Sequence, residues 1–400
     1  MKIFVRAQIA VVAVLALVPL SGAWLAAAAA AGNVTVAQSA KPVVSAAAMA
    51  EYRRALEAYN KIHDAYVAAA SAYWSAIADK RKTRFAKRAH NEPLVIDDYV
   101  LTQPPVYTGP PKPADPSAPK EEAPPPPPVP VVADFLNAAT QEYKFAPRRP
   151  QSEIEFKRAY ARVAAAAGLT KEHAVRIYGF EASGNGAYDV QAGLEYNRPG
   201  AKAITTALGY NQLLTTNSVE LMAESGGKFL AALESEARGL PDGQKAALEK
   251  TIAVVRAMIG FARSVPDVWG QHEVLGNTPK GLATHAMNLD LDVGPLLQTQ
   301  KLLDSIVYAH KKGYATALTA AELEMMNLTG DGNGFDMVLM PPDWRSQVPT
   351  SNFFQPSGYS HNPVAQRNNT VATLIGATNV VMDAEIKKQG AKELAAVFPN

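Results

Sequence analysis

KEHAVRIYGFEASGNGAYD, residues 171–189, decides how the chain is read. Thr170 before it is a helix cap, and Ala174, Val175, Ile177, Tyr178 and Phe180 make the run apolar and helical. The run ends on a carboxylate, Glu181, and then breaks at once into Ser183, Gly184, Asn185 and Gly186. Glycine tolerates positive φ and carries no obstructing side chain, so the backbone after Glu181 is able to turn sharply and approach a ligand closely. A carboxyl at the end of an apolar helix is partly desolvated and meets the negative end of the helix dipole. Both effects raise its pKa, which is what a general acid needs near neutral pH. Taken alone, the stretch equally fits a solvated helix end with a plain glycine cap.

A second stretch, TALGYNQLLTTNS at 206–218, sets a small-residue turn at Gly209, an amide at Gln212, then Leu213 and Leu214, with Asn217 as a helix cap. Together the two stretches resemble the lytic transglycosylases of the goose-type lysozyme superfamily. That family's pattern is a catalytic Glu followed by Ser and Gly, then G-A-x-G-x-x-Q and two hydrophobic residues. Glu181, Ser183 and Gly184 match the first block, and Ala207, Gly209, Gln212, Leu213 and Leu214 match the second. The resemblance covers residues 170–225 and implies a lysozyme-like helical domain. It implies Glu181 as acid and base, with Ser183, Gly184, Gly209, Tyr210 and Gln212 binding the sugar chain.

Four departures accompany it. Ala182 follows the Glu where the family has Ser, and Asn211 stands where Met is usual. DVQAGLEYNRPGAKA, residues 189–203, lengthens the gap between the blocks, and the family's third block, Y-N-A-G, is absent. Tyr359, in GYSHNPVAQRNNT at 358–370, is the candidate to replace that block's tyrosine.

The substrate implied is the peptidoglycan glycan strand, cut between N-acetylmuramic acid and N-acetylglucosamine. Hydrolytic glycosidases use two carboxylates. A lytic transglycosylase uses one: Glu181 would protonate the glycosidic oxygen and then take the proton of the muramyl C6 hydroxyl, leaving a 1,6-anhydromuramyl end. Asp189 and Glu195 are the sequence candidates for a second carboxylate, which would make the protein a muramidase. A non-catalytic wall-binding protein on the same fold is the other alternative, favoured by Ala182 and Asn211.

Composition sets the bounds. The 400 residues are 48% hydrophobic and 8% aromatic, the profile of an Ala-rich helical chain with something appended. A formal charge of +2 supplies no basic face of the size that phosphate neutralisation needs, so nucleic acid is not an expected partner. Without cysteine there are no disulfides, thiolate metal sites or cysteine nucleophile. The histidines form no H-E-x-x-H, and DGNGFD at 331–336 lacks the final Glu of a calcium loop, so a Gly-rich turn is expected there and no metal. No Walker, dinucleotide or G-x-S-x-G motif occurs, and no cofactor is expected.

Lys2 and Arg6 precede IAVVAVLALVPL, and SGAWLAAAAAAG offers A-x-A sites, so residues 1–32 are expected to be a signal peptide. The mature chain would be periplasmic or secreted; an uncleaved inner-membrane anchor is the alternative. Residues 33–100 read as a helical arm whose Tyr52, Tyr59, Tyr66 and Tyr73 recur every seven residues, lining one face for a partner, another copy or the main domain. The arm ends in the basic KRKTRFAKR, residues 80–88. Residues 101–133, which contain PPPPP at 124–128, read as a semi-rigid polyproline spacer. In 134–400, SEIE at 152–155, NSVE at 217–220 and TAAE at 319–322 are capping signals, with further helices over 243–264, 294–312 and 369–390. The expected fold class is mainly α: a lysozyme-like helical domain after a helical arm and a Pro-rich spacer.

Overall fold

The computed structural model describes residues 44–118, 127–194 and 200–399. Among them the fold is helical, with irregular turns and three isolated β-bridges, so the mainly α expectation holds. The expected leader, residues 1–32, lies outside the described residues; within them no helix is long and apolar enough to cross a membrane. The described chain falls into two units, one up to Pro127 and one from Pro128 onward.

The first unit is built on α1 (Ala46–Ala89), capped by the Ser45 hydroxyl, which accepts from the Ala48 amide. Tyr52, Leu56, Tyr59, His63, Tyr66, Ala70, Tyr73 and Ile77 are its less exposed positions, a stripe at alternating four- and three-residue spacing. The chain's own Pro-rich return covers that stripe. Tyr107 packs on Tyr59, His63 and Tyr66 with ring centroids 6.2, 5.8 and 5.4 Å away, and the Tyr73 hydroxyl donates to the Thr102 carbonyl. A polyproline segment has no internal hydrogen bonds and projects its side chains outward, which suits it to lie along an aromatic helix face. Residues 102–107 are therefore packed against α1, where the sequence led us to expect a spacer.

The basic end of α1 is likewise used internally. Arg84 donates to the Asp98 carbonyl at 2.9 Å and lies 4.7 Å over the Tyr99 ring, Lys87 pairs with the Asp98 carboxylate at 2.7 Å, and Lys80 donates to the Asp97 carbonyl. One short turn thus takes up Lys80, Arg84 and Lys87 of this basic cluster, through two carbonyls and the Asp98 carboxylate.

The second unit begins with α2 (Val132–Tyr143), α3 (Glu153–Ala166) and α4 (Lys171–Glu181). An irregular stretch leads to α5 (Thr215–Ala237), α6 (Asp242–Ala262), α7 (Trp269–Gly276), α8 (Pro279–His285) and α9 (Gly294–Lys311). Then come α10 (Ala320–Thr329), α11 (Asp331–Leu339) and the short α12 (Pro342–Arg345), α13 (Pro356–Ser360) and α14 (Pro363–Arg367). The unit closes with α15 (Val371–Glu385) and α16 (Gln389–Val397).

Two apolar clusters hold these helices. Val219, Met222, Phe229 and Leu233 of α5 meet Leu248, Val255 and Met258 of α6; elsewhere Phe156, Ile177, Tyr178, Leu302, Leu323, Met382 and Leu394 gather from α3, α4, α9, α10, α15 and α16. Helix α9 serves both, with Leu297 in the first and Leu302 in the second. Each such side chain contributes roughly 1.5–3 kcal/mol on burial, against the chain entropy it must offset.

The helix signals fare unevenly. Thr319 and Glu322 form a reciprocal capping box on α10, as TAAE predicts. Ser152 makes no side-chain cap; Glu155 accepts from the Gln151 amide instead. Asn217 lies inside α5 and reaches back to the Leu214 amide. DGNGFD is not a turn but the start of α11. Gly334 is needed there because a Cβ would stand 2.3 Å from the Met326 Cα of α10.

Candidate active site

Helix α4 carries Glu181 to its position. The Thr170 hydroxyl caps it by accepting from the His173 amide, and His173 bonds the Leu318 carbonyl through Nε2 at 2.7 Å, which makes that histidine a packing residue. The buried Ala174, Val175, Ile177, Tyr178 and Phe180 fix the helix in the core, leaving Glu181 at its end only half-buried.

The turn that follows is anchored to the corner between α15 and α16. Ser183 and Gly184 take left-handed φ values of 54° and 62°. The Gly184 carbonyl accepts from the Ala391 amide at 2.8 Å, the Asn185 side chain accepts from the Gly390 amide at 2.9 Å, and Lys388 donates to the Ser183 carbonyl at 3.0 Å. A Cβ at position 184 would stand 2.3 Å from the Glu385 carbonyl oxygen. The close approach that Gly184 permits is therefore to the protein's own backbone, and Gly184 is buried while Ser183 is exposed.

The chemistry concentrates where α4 ends against α10. Asn327 donates to Glu181 Oε1 at 2.9 Å. The carboxyl of Glu324, a residue with no exposed surface, lies within hydrogen-bonding reach of the Glu181 carboxyl. Glu181 Oε2 and both Glu324 oxygens are closed off from solvent and make no well-formed hydrogen bond, although the Asn327 amide lies close enough to act on Glu324. Burial raises Glu181 to about 7, while the bond from Glu324, then Asn327 and Lys301, act the other way. Burial pushes Glu324 well above the carboxylate range, and the neighbouring Glu181 pushes it further in the same direction.

Lys301 of α9 is within electrostatic reach of Glu181, Glu324, Glu220, Glu224 and Asp304, and Lys228 acts on Asp304 as well. Burial raises Glu220 to about 7 and lifts Glu224 and Asp304 as well. Glu181 and Glu220 thus hold their protons toward neutral pH.

The second sequence block is tied to the start of the lengthened stretch, residues 189–203, through one carbonyl. Val190 O accepts from the Gly209 amide at 2.9 Å and from Gln212 Nε2 at 3.2 Å, and Gln212 Nε2 also donates to Gly209 O at 2.7 Å. Both Gly209 and Gln212 have positive φ, 83° and 46°. A Cβ on Gly209 would press within 2.5 Å of Gln298 Nε2. Asn211, where the family pattern has Met, is buried and bonds Gln298 and the Tyr160 hydroxyl, so an amide there completes a polar network.

Tyr210 differs from its expected role. It is fully buried, its hydroxyl donates to Glu153, and its ring packs on Phe156, Tyr160 and Tyr178, so it offers a ligand no surface. Tyr359 is 7% exposed and packs on Phe354, with Thr350 beside its hydroxyl, in the segment that follows α12. Asp189 is tied to Arg149 at 2.5 Å, and Glu195 lies outside the described residues.

Glu324 and Asn327 escaped the sequence reading. The available signal was the second acid of the helix AAELEMMNLT, beyond the capping Glu322 and flanked by Leu323, Met325 and Met326; an ionised carboxylate in an apolar run is expensive and marks a function or a partner. No protein family, no curated protein and no solved structure matches the chain.

Proposed function

We propose that the second unit is a lysozyme-like domain and the protein an exported lytic transglycosylase, cutting peptidoglycan between N-acetylmuramic acid and N-acetylglucosamine with Glu181 as acid and base. The observation that carries this reading is Glu181 itself: a half-buried residue at a helix end whose enclosed carboxyl is held by Asn327 and raised to about 7 by burial. Such a group protonates a leaving oxygen near neutral pH and, once ionised, accepts a proton from a hydroxyl. Ser183 next to it is exposed and Gln212, bonded to the Val190 carbonyl, is half-buried, which leaves both able to meet a sugar chain, whereas Gly209 is buried.

The single-carboxyl route is favoured over hydrolysis by the place of the neighbouring acid. Glycosidases that hydrolyse with two carboxyls hold them roughly 5–9.5 Å apart, with the sugar between. Glu324 is in hydrogen-bonding contact with Glu181 and leaves no such gap, while Asp189 is occupied by Arg149. The test is digestion of purified peptidoglycan by the full chain and by Glu181→Gln, with the released muropeptides identified by mass spectrometry. Anhydromuramyl products lost in the variant are expected. Reducing-end products would move the reading to a muramidase, and bound but uncut peptidoglycan to a wall-binding protein.

A further inference from the structure

Glu324 has no exposed surface, sits among Leu323, Met325 and Met326, and presents two oxygens with no well-formed hydrogen bond, the Asn327 amide being near enough to favour its ionised form only in part against burial and Glu181. Leaving an ionised carboxylate there costs several kcal/mol. A neutral carboxylic acid avoids that cost if its O–H finds an acceptor. The Glu181 carboxyl, whose Oε2 has no partner, lies within hydrogen-bonding reach, and Asn327, one turn along α10 from Glu324, bonds its Oε1 at 2.9 Å. One proton on Glu324 then satisfies two of the three unpartnered oxygens at once.

We infer that Glu324 is a permanently protonated positioning residue, whose O–H donates to Glu181 Oε2 while Asn327 donates to Oε1, together fixing the acid and stabilising its ionised form. The inference rests on the reading of Glu181 as acid and base. In the first step the Glu181 O–H bond breaks as its proton passes to the glycosidic oxygen and the C1–O bond opens. The charge left on Glu181 falls on an oxygen pair that already holds two donors, in the manner of an oxyanion hole. In the second step the muramyl C6 oxygen bonds to C1 and its proton goes to Glu181. Glu324 keeps its own proton throughout, so no proton or electron is gained or lost by the pair.

The surrounding charges leave this order of titration intact. From α15, Asp383 is paired with Arg176 and Glu385 with Lys388; from α16, Glu393 is paired with Lys157; Glu322 of α10 faces Arg345. On α11, Asp331 accepts from Ser305, and Asp336 is buried. On α9, Asp304 is bonded by Gln300. Lys301 acts on both members of the pair, so it favours ionisation of each and does not choose between them. The deeper burial of Glu324 and the direction of the shared hydrogen bond decide that Glu181 ionises first.

The test compares the pH profile of peptidoglycan cleavage by the full chain with Glu324→Gln and Glu324→Met. Gln retains a neutral donor to Oε2, so its rate is expected within about tenfold of wild type; Met keeps the site dry but removes the donor, with an expected loss of about 10²-fold. The alkaline limb of the Met variant moves to higher pH, because Glu181 loses a bond that favours its ionised form. A Gln variant as impaired as Met, or a Met variant equal to wild type in rate and profile, overturns the inference.

Infrared spectroscopy supplies a readout independent of turnover. A protonated-carboxyl band that outlasts the titration of Glu181 as pH rises in the wild type and disappears in Glu324→Gln is expected, and its absence from the wild type overturns the inference whatever the activity. A wild-type chain that shows the band yet releases no muropeptides supports the protonated Glu324 and removes the transglycosylase reading instead.

Discussion

Gly184 approaches Glu385 so closely that a Cβ on Gly184 would lie 2.3 Å from the Glu385 carbonyl oxygen, and the φ of Gly184 is +62°. The turn after Glu181 is thereby locked onto the corner between α15 and α16.

Gly184→Ala is accordingly expected to destabilise by about 2–4 kcal/mol, from a left-handed backbone and an overpacked contact with main chain. Gly227, exposed inside α5 with open space where its Cβ would go, is the control: Gly227→Ala is expected to stabilise by about 0.5–1 kcal/mol. Urea denaturation of the two variants checks both signs. An unaffected Gly184→Ala would mean that the corner contact does not hold the turn.

The carboxyl pair makes the fold more stable in mild acid. The folded-state pKa of Glu181 is raised from 4.5 to about 7 and that of Glu324 well above the usual range, so the native chain binds protons that the unfolded chain releases. That stability is fully present below pH 4.5 and is lost as pH rises through about 7. Glu324→Gln is expected to recover roughly 1–3 kcal/mol at alkaline pH and little in acid. Parallel pH series of denaturation midpoints for the two proteins measure the difference.

His285 works in the opposite direction. It is fully buried, bonds Ser218 through Nδ1 and the Thr206 carbonyl through Nε2, and burial lowers its pKa from 6.5 to about 4. Its contribution is present above pH 6.5 and is lost as pH falls toward 4, by up to about 3 kcal/mol. In His285→Asn the slope of stability against pH between 6.5 and 4 is expected to flatten relative to wild type, and an unchanged slope would assign acid sensitivity elsewhere.

Lys301→Met removes a cation that lowers Glu181 and Glu220 together. Both carboxyls are expected to titrate at higher pH, by about half a unit to one unit. Carbon-13 NMR titration of the glutamate carboxyls reads this directly, and it requires no substrate. A downward movement would contradict the placing of Lys301 beside them.

In the first unit, Tyr107→Ala deletes ring contacts worth about 0.5–1.5 kcal/mol each to Tyr59 and Tyr66. Hydrogen exchange of the full chain is expected to show lost protection over residues 52–73 of α1. Unchanged exchange would mean that the Pro-rich return does not stabilise the helix.

Local signals carried much of the architecture. Capping residues and 3.6-residue periodicity locate α6, α9 and α10 to within two residues, and the seven-residue tyrosine spacing marks the face of α1 that is covered. Glu181 as a helix-end carboxyl with a raised pKa was also legible, because helix end, apolar flank and glycine turn are contiguous in the chain. These are short-range properties, fixed by backbone sterics and side-chain pattern within a few turns.

Long-range placement decided the rest. That Tyr210 lies in the core, that Gly184 serves a backbone contact, and that residues 102–107 fold back on α1 depend on partners far away in sequence. Glu324 is 143 residues from Glu181 (324 − 181), and nothing within AAELEMMNLT names the acid it faces. The sequence by itself determined the helices and one candidate acid. Only the packing of α4 against α10 brought a second buried carboxyl to that acid, because desolvation and a shared proton arise from tertiary contact and have no signature along the chain.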